Sequence, residues 1–197
     1  MPQKSSFPIP QLFEFEIPNF SDQIRAVVIF DRDDTLIKDI PGLAKPDDIV
    51  WMPGVKESLR LLHQNQIACL VASNQRVIAS KTITLDELSL VSNEMFNESV
   101  DFGGSLSIFA YCTHEIRKTK DIIIYSCKCR KPQPGLIDYL IKVYQFPNIP
   151  IFFVGDKDTD RQAAATACRK IKFLPSSYLE DPLKLLNLLL EENPTEE

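Results

Sequence analysis

The chain has 197 residues, 44% of them hydrophobic and 25% charged, which suffices for one domain with a substantial core. Its formal net charge of −5 argues against broad nucleic-acid binding, and no stretch approaches a membrane span. Five cysteines, an odd number, fit poorly with a closed disulfide framework, and the N-terminus lacks the apolar core of a signal peptide, so a reducing cytoplasm is the expected location.

Residues 1–24 read as an irregular leader, because Pro2, Pro8, Pro10 and Pro18 interrupt any helical or strand period. Four apolar runs follow: AVVIF (26–30), IACLVAS (67–73), LSIFAY (106–111) and IFFVG (151–155), with IKFL (171–174) as a weaker fifth. Continuous apolar runs predict strands buried on both faces, as in a parallel sheet. Helical patterns lie between them. Val55, Leu59 and Leu62 recur at i, i+4, i+7; Thr84 and Glu87 have capping-box spacing; Leu136, Leu140 and Val143 are placed on one face. TDRQAAATACRK and DPLKLLNLLLEE supply two more helices. The alternation predicts an α/β domain over 25–191, mainly parallel sheet between helices, with an acidic tail at 192–197.

Two acidic clusters fall at strand ends. VVIFDRDDTL places Asp31, Asp33 and Asp34 after the first apolar run, and FFVGDKDTD places Asp156, Asp158 and Asp160 after the fourth. Ligands of open α/β sheets bind outside the carboxyl ends of the strands. If those two strands are neighbours, Asp31 and Asp156 converge and repel unless a cation sits between them, and hard carboxylate oxygens suit Mg²⁺. The first cluster then supplies a nucleophilic carboxylate and, two residues on, a general acid/base, with Thr35 to orient the carboxylates or contact phosphate.

DRDDTL resembles the Asp-x-Asp-x-Thr motif of the haloacid dehalogenase (HAD) superfamily, and the other motifs follow in the same order. The resemblance implies a Rossmann-like fold and Mg²⁺-dependent phosphoryl transfer. By it, Asp31 is the nucleophile and Asp33 the acid/base. Ser73 binds the phosphoryl group, and Lys131 neutralises phosphate and nucleophile. Asp156 joins Asp31 and the Asp33 backbone carbonyl on the metal.

Cys112, His114, Cys127 and Cys129 form a Cys₃His set, the ligands of a closed structural Zn²⁺ site that would pin the long loop 115–126. Cys69 and Cys168, in a strand run and an apolar helix, read as buried small residues. Residues 112–131 carry Arg117, Lys118, Lys120, Lys128, Arg130 and Lys131 against Glu115 and Asp121, a basic collar in which Arg130 and Lys131 are the phosphate-contacting pair. With CKCRKPQPG, SNQ and GDKDTDRQAA, the chain resembles the HAD branch of heptose bisphosphate phosphatases and histidinol-phosphate phosphatases. That resemblance implies no large cap domain, and it places Asn74 and Gln75 on the substrate-facing loop. The chain departs from the branch at Asp34, where a glycine is usual, and at RVIASK (76–81), which lacks two glycines. Aspartate tolerates left-handed backbone, so the turn at Asp34 is expected to persist. The expected activity is hydrolysis of a small phosphorylated metabolite: first a sugar bisphosphate, second histidinol phosphate. A phosphate-binding module without turnover and phosphotransfer to an acceptor other than water are the alternatives.

Overall fold

The computed structural model describes residues 9–18, 23–118, 123–125 and 127–191. The elements run β1 (Gln11–Glu14), β2 (Ala26–Phe30), α1 (Val55–Gln64), β3 (Ile67–Asn74), α2 (Arg76–Ala79), α3 (Leu85–Asp101) and β4 (Leu106–Cys112). Then come β5 (Ile116–Lys118), β6 (Ile123–Tyr125), α4 (Gly135–Tyr144), β7 (Ile151–Gly155), α5 (Asp158–Ala165), β8 (Lys172–Pro175) and α6 (Pro182–Glu191). A six-stranded sheet has the order β1-β4-β3-β2-β7-β8, parallel except for β1. The chain starts the parallel sheet at β2, builds outward through β3 and β4, then returns to β2's other edge with β7. The crevice for a ligand therefore opens at the carboxyl ends of β2, β3 and β7.

Both faces of the sheet are covered, which explains the continuous apolar runs. Ala26, Val28 and Phe30 pack toward the α1, α3 and α6 side, while Val27 and Ile29 pack toward α4 and α5. Val55, Leu59 and Leu62 are buried as the α1 periodicity predicts, and Thr84 and Glu87 close their capping box at the start of α3. No helix among the described residues is long and apolar enough to cross a membrane.

Four expectations are corrected. The leader is not irregular throughout: β1 pairs antiparallel with β4, Leu12 opposite Ala110. Pro10 and Pro18 flank this strand rather than interrupt it, an edge strand tolerates such neighbours, and Phe13 meets Tyr111 edge-on at 5.9 Å. On α4 the buried stripe is Leu136, Ile137, Leu140 and Ile141; Val143 is 42% exposed. Helix α5 stops at Ala165, so Cys168 lies beyond it and is exposed, its N–H donating to Asp138. The long loop between the cysteine pairs carries the β5–β6 hairpin. Lys120 and Asp121 of the basic collar, and the tail, lie outside the described residues.

Candidate active site

Strand β2 ends on Phe30, and the Asp31 N–H still donates to Val154 of β7 at 2.9 Å, so the side chain is carried on the sheet's rigid edge. The chain then turns through one helical loop, with Leu36 and Ile37 N–H groups both donating to the Arg32 carbonyl. Asp34 sits at φ 57°, the left-handed region expected of it, and its carboxylate accepts the Asp39 N–H at 2.9 Å. That local hydrogen bond is what aspartate offers in place of glycine's freedom. Lys81, in the RVIASK loop, likewise holds φ 57°.

Strand β7 supplies the second half. Gly155 is required there because a Cβ would lie 2.5 Å from an Asp160 oxygen. This close approach tucks Asp160, fully buried, against the strand end, where it accepts the Lys157 N–H at 3.0 Å. Ligand atoms of Asp31, Asp156 and Asp160 lie within 4.8 Å of one another. The expected convergence of Asp31 and Asp156 is present, and Asp160 joins it. Thr35 donates to Asp156 at 3.3 Å.

Lys131 enters between these acids. Its Nζ lies 2.8 Å from Asp31 Oδ1 and 2.7 Å from Asp160 Oδ1, and 5.1 Å from the centre of the Phe153 ring. Burial pushes the Asp31 carboxyl up, but Lys131, with hydrogen bonds from Lys131, Ser73 and the Arg32 N–H, outweighs it and holds the pKa below the ordinary value. Burial raises Asp160, and the nearby Asp31 adds to the rise against the opposing pull of Lys131. Burial also raises Asp156, with Lys157 opposing and Asp31 and Asp160 reinforcing. Three hard-oxygen donors, two of them reluctant to ionise beside the third, fit a divalent cation that would supply the missing positive charge.

Asn74 and Gln75 line the cleft, yet their side chains are engaged with protein. Asn74 brackets Lys131: its Nδ2 donates to the Lys131 carbonyl and its Oδ1 accepts the Lys131 N–H, each at 3.0 Å. Gln75, 3% exposed, donates to Asp33 at 2.8 Å and to Ser73 at 3.3 Å. Arg32, also 3% exposed, donates from Nε to Asp33 at 2.8 Å and from Nη2 to Gln75 at 3.1 Å. Arg130 lines the cleft, and its buried Nη1 has no hydrogen-bond partner among the described residues. The cleft is about 470 Å³, the size for one small ligand, and Arg76 and Lys157 stand on its wall.

Sequence reasoning missed Arg32, and it placed Asp160 in the second acidic cluster without giving it a role. The signal for Asp160 was its place four residues after Asp156, one helical turn on, at the start of a helix. For Arg32 it was a long cation at the end of an apolar strand, a place where burial demands a partner.

Cys112, His114, Cys127 and Cys129 come together as a second cluster, ligand atoms within 4.8 Å. Cys112 Sγ is 3.5 Å from Cys127 Sγ, and His114 Nδ1 is 3.1 Å from Cys129 Sγ. None of these three cysteines forms a disulfide. A hydrogen bond from Cys129 pulls Cys112 down to about 5 against burial, and that same bond pushes Cys129 up. Three thiols and an imidazole packed this closely are the soft donors that a zinc ion would let ionise together, so the donor set fits zinc. Gly135 lets the chain leave the cluster tightly: a Cβ there would lie 2.3 Å from the Lys128 carbonyl oxygen.

The chain is similar to known proteins in both sequence and fold. The family model for polynucleotide kinase 3 phosphatase matches residues 26–174. A D-glycero-beta-D-manno-heptose-1,7-bisphosphate 7-phosphatase of Photorhabdus laumondii is 31% identical over 71% of this chain and 74% of its own. The structure of the heptose bisphosphate phosphatase from B. bronchiseptica, complexed with magnesium and phosphate, superposes with a TM-score of 0.63 at 27% identity, covering 76% of this chain and 78% of that one. An HAD-like phosphatase from Mesorhizobium loti shares the fold at TM-score 0.74 and 21% identity, over 92% and 95% of the two chains. The chain belongs to the polynucleotide kinase 3 phosphatase family, and so to the phosphatases of HAD-like fold.

Proposed function

We propose that the chain is a cytoplasmic, Mg²⁺-dependent phosphomonoesterase that acts on a small phosphorylated metabolite, first choice a sugar bisphosphate such as heptose bisphosphate, through an aspartyl-phosphate on Asp31. The observation that carries this reading is the Lys131–Asp31 ion pair at 2.8 Å, beside Asp33 in the cleft. A nucleophilic carboxylate must be ionised and held still, and the pair does both. An Asp31 oxygen forms a bond to phosphorus as the ester P–O bond breaks. The departing alkoxide takes its proton from Asp33. A water then attacks the same phosphorus and gives its proton to Asp33. The Asp31–phosphorus bond breaks, inorganic phosphate leaves, and Asp33 is protonated again. Mg²⁺, when held by Asp31, Asp156 and the Asp33 carbonyl, offsets charge on the phosphoryl oxygens. Lys131 adds a second positive charge there, and Ser73 and Thr35 offer hydroxyls. Asp160 keeps Lys131 in place. Zn²⁺ on Cys112, His114, Cys127 and Cys129 is structural.

The bisphosphate choice rests on cations left over once Lys131 is assigned. Arg130, whose Nη1 has no partner among the described residues, suits a second anionic group, and Arg76 also lines the cleft. The names of the relatives point the same way. The family's description favours a second reading, a 3′-phosphorylated nucleic-acid end, against which stand the net charge and the small cleft. A phosphate-release screen with Mg²⁺ over heptose and hexose bisphosphates, histidinol phosphate, nucleotides and 3′-phosphorylated DNA ends tests the reading. Preference for a bisphosphate is the expected result. Preference for a DNA end or a neutral-tailed monophosphate removes the charge argument, and no turnover on any member favours a phosphate-binding module.

A further inference from the structure

Asp33 is the group asked to move protons, yet it stands on a turn beyond the strand, with its side chain 16% exposed. Such a side chain rotates freely unless something fixes it. Here both carboxylate oxygens are occupied by buried donors. Arg32 Nε reaches Oδ1 at 2.8 Å, and Gln75 Nε2 reaches Oδ2 at 2.8 Å. The two donors are tied together, because Arg32 Nη2 donates to Gln75 Oε1 at 3.1 Å. That bond fixes which way the amide points: its oxygen faces the guanidinium, so its nitrogen must face Asp33. The result is a closed ring of three hydrogen bonds around one carboxylate.

The ring is anchored from behind. The Arg32 guanidinium lies 5.9 Å from the centre of the Tyr111 ring. Tyr111 donates to Ser92 Oγ at 2.9 Å, and Ser92 donates to the Leu88 carbonyl of α3 at 2.7 Å. A fully buried aromatic residue with a satisfied hydroxyl does not shift easily. Each carboxylate oxygen has two lone-pair sites, and the ring uses one on each. The remaining sites are free to hold a proton or take one from water. We propose that Arg32 and Gln75 are positioning residues that fix the plane of the Asp33 carboxyl for proton exchange with the leaving alcohol and the attacking water. This rests on the phosphomonoesterase reading above, and it reassigns Gln75 from substrate contact to the support of Asp33.

The claim separates from a merely structural role through the leaving group. An alkoxide must be protonated as it departs, whereas p-nitrophenolate departs as a stable anion. Formation of the aspartyl-phosphate from a sugar phosphate therefore needs a well-placed Asp33, and formation from p-nitrophenyl phosphate needs it far less. The experiment is rapid-quench measurement of the first turnover, with Mg²⁺, on heptose 1,7-bisphosphate and on p-nitrophenyl phosphate. Wild type is compared with Gln75→Leu, Gln75→Glu and Arg32→Lys. Displacing a reacting group by about an ångström costs roughly 10²-fold. Gln75→Leu is expected to slow the sugar ester about 10²-fold while its loss on the aryl ester is at least about ten times smaller, with KM little changed on either. Gln75→Glu, which keeps the shape but sets a carboxylate against Asp33, is expected to show the same asymmetry, as is Arg32→Lys, which keeps the charge but loses the fork. These two keep the test alive if the leucine variant does not fold. Equal losses on the two esters, or none on either, overturn the proposal while the wild-type turnover stands. A wild type that releases phosphate from neither ester overturns the phosphatase reading, and the positioning claim with it.

Discussion

The two clusters of metal-ligating side chains differ in nearly every physical respect, although Lys131 lies only two residues from Cys129. The carboxylate cluster is built from hard oxygens, and Asp156 remains partly open to solvent. The Cys₃His cluster offers soft donors, three buried sulfurs and one partly exposed imidazole, with no donor left for substrate. One therefore has room for a reacting ligand and the other does not. The comparison teaches a division of labour. In the proposed mechanism the chemistry would use an open cation site on rigid strand ends, and the loop that carries Lys131 would be held by a closed one.

The sharpest way to break this comparison is to empty the closed site. Cys129→Ser, or removal of zinc by a chelator, is expected to lower the melting temperature and to cut phosphate release about 10²-fold, through displacement of Lys131 rather than loss of any reacting group. Elemental analysis should first find about one zinc per chain. Unchanged turnover in a zinc-free chain would show that the two clusters are independent. A smaller effect is expected from Asn74→Ala, which leaves both clusters intact but removes the two hydrogen bonds that bracket the Lys131 backbone. Chemical denaturation should report a loss of about 1–3 kcal/mol, with a turnover loss of about tenfold. A stability loss without a turnover loss would mean that Lys131 is held by its acids alone.

The smallest effect concerns pH. Asp31, held below its ordinary 3.8, contributes stability that is present above that value and is lost as pH falls through its lower folded value. Asp156 and Asp160 run the other way: their raised values cost stability as pH rises through 3.8 and beyond, where the unfolded chain would ionise them freely. Mg²⁺ held at Asp156, as proposed above, would relieve that residue's share of the cost, whereas Asp160 is paired with Lys131. The ion should therefore raise the melting temperature more at neutral than at mildly acidic pH, as differential scanning fluorimetry would show. A Mg²⁺ effect that does not weaken toward acid would mean that Asp156 does not bind it.

Much of this was legible in the sequence, for identifiable reasons. Apolar runs that end in acids report buried parallel strands and what they present at their tips, so the sequence alone places Asp31 and Asp156. Soft ligands crowded into two pairs predict one cluster, and Cys112, His114, Cys127 and Cys129 do come together. What stayed hidden depends on contacts across the sequence. Strand β1 is four residues between prolines and exists because β4 offers it an edge. The short helix α2 has too few residues for a period. The resemblance puts Gln75 on the substrate-facing loop; its hydrogen bonds to Arg32, 43 positions away, and to Asp33 depend on the fold. The left-handed turn at Asp34 is expected from aspartate's tolerance of it, but the hydrogen bond from Asp39 that supports it is not.

The central claim is that Asp31 carries the phosphoryl group. Asp33→Asn should still allow attack on an ester with a good leaving group but should fail to activate water, so the intermediate accumulates. Intact-mass spectrometry of this variant after incubation with p-nitrophenyl phosphate and Mg²⁺ tests it, with peptide mapping of the product. The account predicts one added phosphoryl group, located on Asp31 and absent from Asp31→Asn, which releases no phosphate. An adduct on another residue, or phosphate release by Asp31→Asn at the wild-type rate, would contradict it.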